Sequence, residues 1–166
     1  FKANRSRYLW NIAFAGGSTV AALAQGIVVG NYIEGIETAI GVFVGGPLDF
    51  LTPFTLLTGV GLVAGYGLLG ATWTIMKTEG HTQDWARRMA RILLLAVLAV
   101  FALISIWTPF VAPFVYERWF SHMNLIWILP VLALVCAWKI WQGIDQHRDG
   151  VPFVATMGLF VFTYLG

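Results

Sequence analysis

Three histidines, one cysteine and eight acidic side chains are the groups in this sequence that could hold a metal, pass a proton or attack a substrate. Their placement limits the chemistry open to them. His81, His122 and His147 all fall in or beside polar segments, and no two share a helix face. A haem in the depth of a bilayer takes axial ligands at that depth, so surface positions are expected for all three. Cys136 cannot form an intrachain disulfide or make a metal site alone. In its apolar run it reads as a small buried hydrophobe. No carboxylate lies deep in an apolar run, which leaves Gln, Asn, Thr, Ser and Tyr there, none an ordinary proton carrier near neutral pH. There is no nucleophile–base constellation and no phosphate loop with Walker spacing. The residues alone describe a haem-free, metal-free membrane scaffold.

The elements around these groups are set by hydropathy. The chain is 58% hydrophobic and 11% charged, with a mean hydropathy of +0.76. A soluble domain carries about 25% charged residues, so an integral membrane protein is expected. A net charge of +2 without a basic, base-stacking surface gives no sign of nucleic acid. Five apolar runs predict a single all-α domain over residues 1–166, a polytopic transmembrane helix bundle. The helices are expected at about 8–33, 51–76, 92–115, 125–144 and 151–166. The first four are long enough to cross a hydrocarbon core about 30 Å thick. Helices satisfy their own backbone groups, and no run alternates as an outer-membrane barrel strand does. Phe1 and the apolar end at Gly166 suggest an internal piece of a longer polytopic protein.

Small residues mark where these helices should be packed against. Gly26 and Gly30 in the first run, and Gly61 and Gly65 in the second, each form a G-x-x-x-G pair that lets another helix come close. Gln25, well inside the first run, is expected to face protein and to bond across helices. The segment 34–50 is apolar but broken by Gly41, Gly45 and Gly46, and is too short to span. It suits a re-entrant or interfacial position. Trp73 and Lys77 suit an interfacial anchor, as do Trp127, Trp138 and Trp141. Pro130 should mark a kink or a late helix start, and Pro152 suits a first turn.

Basic residues set the orientation. The successive polar segments hold three, none, four, one and two of them: Lys2, Arg5 and Arg7; none; Lys77, Arg87, Arg88 and Arg91; Arg118; Lys139 and Arg148. The positive-inside rule then places Phe1, the Lys77–Arg91 loop and the Lys139–Gly150 loop in the cytoplasm. Arg87, Arg88 and Arg91, just before a helix, are expected to meet anionic lipid.

Three stretches resemble subunit II of the cytochrome bd-type quinol oxidases, including the cyanide-insensitive branch. They are FKANRSRYLWNIAFAGGS at Phe1–Ser18, QGIVVGNYI at Gln25–Ile33 and GGPLDFLTPFTLLTGVGLVAGYGLLGATWTIMKTEG at Gly45–Gly80. LLGATWTIMKTEG is the most specific. The resemblance is continuous from Phe1 to Arg91 and looser afterwards. It implies a bacterial inner-membrane complex in which a larger subunit I holds haem b and haem d, oxidises quinol and reduces oxygen to water. It implies an eight-helix, haem-free subunit II, with a small accessory subunit as a further candidate partner and a structural quinone in some members. The family's proton-delivery carboxylates lie in N-terminal helices with no counterpart here, so no catalytic residue is assigned. Where the family often has Trp-Asp, this chain has Trp10-Asn11, so no role of that acid is carried over. A secondary transporter or a scaffold of another complex are the rival readings. The former needs a mid-depth site with broken helices, hinted at only by Gln25 and the glycines.

Overall fold

The computed structural model describes residues 3–35, 38–39, 42–43, 46, 48–111 and 128–165. The architecture is helical: α1 Ala3–Glu34, α2 Pro53–Lys77, α3 His81–Val111, α4 Ile128–Asp145 and α5 Val151–Leu165. Between α1 and α2, β1 Thr38–Ala39 pairs antiparallel with β2 Val42–Phe43, Thr38 opposite Phe43. This minimal ladder lies in the glycine-broken segment that is too short to span. Four helical segments, Arg7–Glu34, Pro53–Lys77, His81–Phe110 and Ile128–Asp145, are long and apolar enough to cross a membrane. The polytopic bundle expected from the sequence is therefore the fold.

The sequence reads as one domain, whereas contacts group the chain into two compact units, Phe1–Val63 and Ala64–Gly166. In the first, Ala22, Gly26 and Gly30 of α1 are buried, at a spacing of four that puts them on one face. The rest of α1 presents Tyr8, Leu9, Phe14, Val20, Val28 and Tyr32 outward. Thr52 caps α2. Its Oγ1 accepts from the Thr55 backbone N–H at 3.1 Å, and Thr55 Oγ1 accepts from the Thr52 N–H at 2.9 Å. This reciprocal capping box precedes Pro53 in the first helical position, where a missing N–H costs nothing.

In the second unit, one core joins all four helical segments: Leu68, Ala71 and Ile75 of α2; Ala86, Ala90 and Leu94 of α3; Ala137, Ile140 and Ile144 of α4; Leu159 of α5. The three-and-four spacing is that of a helix face. Buried Thr72 and Thr156 donate to their own helices, to Leu68 O at 2.9 Å and Pro152 O at 2.7 Å, so no hydroxyl is stranded there.

α3 begins at His81, eleven residues before the expected start at 92. The expected long loop over Lys77–Arg91 is a turn at 78–80, closed by Gly80 at φ +63°, and the rest of that stretch is helix. Hydropathy locates the membrane and not the helix. Thirty-one residues rise about 46 Å, well beyond a 30 Å core, so the first turns extend past it. They are amphipathic, with Ala86, Arg87 and Ala90 buried and Trp85, Arg88 and Ile92 exposed. At its other end α3 carries Pro109 in its last turn. Pro130 is the third residue of α4 as described. α4 ends with His147 at φ +53° and the Arg148 N–H donating to Gly143 O at 3.1 Å, a Schellman closure.

Candidate functional site

Two constellations stand out: the glycine contacts within each unit, and the arginines at the start of α3. In the first unit, a methyl group at Gly26 would lie 2.5 Å from Gly59 Cα and 2.8 Å from Thr58 O. At Gly30 it would lie 2.8 Å from Thr55 Cα. These are backbone atoms, so α1 and α2 touch main chain to main chain. Thr58 Oγ1 fixes the contact. It is 2.8 Å from Gly26 O on α1 and 2.8 Å from Thr55 O on its own helix, and its single proton serves one of them at a time. The α2 glycine in this contact is Gly59. A methyl there would meet Leu23 Cδ1 at 2.9 Å. Sequence reasoning singled out Gly61, which is partly buried, and missed Gly59. The two are two residues apart, and only the helix's rotation decides which one meets α1.

The 34–52 connection is tied back at the same end. Thr52 Oγ1 lies 2.9 Å from both Glu34 carboxylate oxygens, and Asn31 Nδ2 donates to Ile27 O and Phe50 O, each at 2.9 Å. Glu34, the last residue of α1, is thus an anchor that receives the cap of α2. Gln25, expected to face protein, lies on the exposed side of α1 and is not without a partner.

In the second unit, Gly65 is buried, and a methyl there would meet the tip of the Phe160 ring at 2.8 Å. Phe160 also stacks on Tyr66, centroids 6.0 Å apart. Further along, Trp73 meets Phe153 edge-on at 5.0 Å, and Lys77 Nζ sits 5.1 Å over the Trp73 ring. The Trp73–Lys77 pairing joins the two residues read as interfacial anchors by a cation–π contact. Lys139 does the same with Trp138 at 5.2 Å.

The three arginines expected to meet lipid part company. Arg87 is 5% exposed. Its Nη1 donates to Ile144 O at 3.0 Å and its Nη2 pairs with the Asp149 carboxylate. It faces protein, which corrects its expected contact with anionic lipid: the α4–α5 turn covers it. Arg91 pairs with Asp145 at 2.7 Å, both nearly half exposed. Arg88 is exposed. The sequence could not show this, because Arg87 and Asp149 are 62 residues apart.

Among the described residues, no three His, Cys, Asp or Glu side chains gather into a metal-binding group. His81 opens α3 and is exposed, and His147 is exposed in the turn after α4. His122, Arg118 and Trp127 lie outside the described residues. What these two constellations can do is hold helices together; neither contains an acid–base or nucleophilic pair.

The chain was compared with known proteins. The sequence model of the family described as cytochrome bd terminal oxidase subunit II matches residues 1–166. A Haemophilus influenzae protein named probable cytochrome oxidase subunit 2 is 28% identical over 89% of this chain and 47% of its own length. The cytochrome bd-I ubiquinol oxidase subunit 2 of Escherichia coli is 31% identical over 64% of this chain and 29% of its own. The chain spans less than half the length of either relative.

Proposed function

Because the chain belongs to the cytochrome bd terminal oxidase subunit II family, we propose that it forms the membrane-embedded part of a haem-free subunit II in a quinol:oxygen oxidoreductase of aerobic respiration. The family match over residues 1–166 carries this reading. On it, a haem-bearing subunit I is the partner, quinol is the electron donor and oxygen the acceptor. The electron chemistry belongs to haem b and haem d in that partner. The residues of this chain position helices. Gly26, Gly30 and Gly59 hold α1 on α2 within the first unit, and Gly65 seats Phe160 within the second. The backbone contacts and the placement of His81 and His147 at helix ends support a scaffolding role, with no catalytic residue in this chain.

The family match favours the bacterial inner membrane, and the three, none, four, one, two distribution of basic residues favours the Gly80 turn and the α4–α5 turn on the cytoplasmic side. The arginine facing anionic lipid is then Arg88, with exposed Trp85 as its interfacial neighbour. Deleting the full-length protein should abolish quinol-driven oxygen uptake through this oxidase in isolated membranes, and re-expression should restore it. Unchanged uptake through a chromatographically intact oxidase lacking this chain would refute the reading.

A further inference from the structure

We propose that Arg87 is the pin of a latch that fastens the turn end of the α4–α5 hairpin to the start of α3, and that removing its guanidinium lets that end move away from α3 while Phe153 and Phe160 keep α5 on α2. The hairpin is built as a unit. A methyl at Gly143 would lie 2.9 Å from Pro152 Cδ, and one at Gly158 3.2 Å from Cys136 Sγ. The Arg148 N–H to Gly143 O bond closes the connection.

Two rungs join this unit to α3. Arg87 and Arg91 are one turn apart, and their partners Asp149 and Asp145 flank the turn between α4 and α5. The rungs are unequal. Arg91 and Asp145 are 44% and 47% exposed at their side chains, so water and salt weaken that pair. The Arg87 side chain is 6% exposed and grips the hairpin at two points, the end of α4 and the turn before α5. It donates to a carbonyl in the last turn of α4, where a cation is favoured, and to Asp149, just before α5, where an anion is favoured. Its Nε has no partner. A buried guanidinium with an unmet donor is a poor way to gain stability, and its worth lies in fixing position. Ala86, Ala90, Ile140 and Ile144 lie in the same apolar core, and apolar burial is non-directional, whereas the two-acceptor grip sets a direction.

The test uses the full-length protein in its purified complex, with native cysteines replaced and nitroxide labels at Thr82 and Gln146, both exposed. The unmodified latch should give one narrow distance between labels. Arg87→Met should shift most of the population to a longer, broader distance. Arg87→Lys, whose single ammonium replaces the two-pronged fork, should fall between. Arg91→Met should leave the narrow distance. An unchanged distance in Arg87→Met, or an equal opening in Arg91→Met, overturns the proposal. Should Arg87→Met not fold, Asp149→Asn, which removes one of the two grips, should show the same longer population, and a single narrow distance there is equally decisive against it.

Discussion

At Gly26 the added carbon of any other residue would meet backbone, and at Gly65 it would meet the end of an aromatic ring. The difference sets a ranking. A ring can turn aside by a few tenths of an ångström, whereas a backbone contact is relieved only by moving a helix. Gly26→Ala should therefore destabilise the subunit more than Gly65→Ala, with Gly26→Ala falling in the range of about 1–3 kcal/mol typical of overpacking. Thermal melting of the solubilised complex checks the order. Gly65→Leu should still do harm, because a branched side chain fills the space of the Phe160 ring, while Val63→Leu should be mild. Equal melting temperatures for Gly26→Ala and Gly65→Ala would remove the α1–α2 backbone contact from the account. Thr58→Val keeps the shape and loses the bond to Gly26 O. It should cost roughly 0.5–1.5 kcal/mol and should lower the melting temperature less than Gly26→Ala does.

At the scale of elements, the turn at 78–80 and the first residues of α3 should lie on the cytoplasmic side. A cysteine at the exposed position of Thr82 should resist an impermeant thiol reagent in intact cells and label readily in opened ones. Labelling from outside would invert the topology. Length and hydropathy made the spans legible, because only a helix of some twenty apolar residues crosses a bilayer with its backbone satisfied. They did not reveal that α3 starts at His81, because its first ten residues are polar on the side away from Ala86 and Ala90. Nor did they reveal the fate of Arg87. A run of arginines before an apolar helix looks the same whether lipid or protein covers it, and the covering carboxylate comes from the turn before α5. At Gly26, Gly30 and Gly65 an added methyl would come within 3 Å of a neighbour. The choice of Gly59 as the α1 partner was not legible, because it depends on how α2 is rotated against α1.

At the scale of the molecule, the proposed function puts the haems in a partner and none in this chain. Replacing His81, His122 and His147 together by alanine should leave the haem content of the purified complex unchanged, read as the pyridine haemochrome signal per mole of protein. A lost haem would place an axial ligand here. The family match and the four apolar spans make this a membrane-embedded member of the subunit II family, and the role proposed for it is to hold a redox partner in place. The measurement that tests this most directly is purification of the full-length protein through a tag on it, followed by the visible spectrum and quinol-driven oxygen uptake of the eluate. A larger co-eluting subunit, chlorin-type haem absorption and quinol oxidase activity are predicted. A stable, colourless protein without that partner would contradict the account.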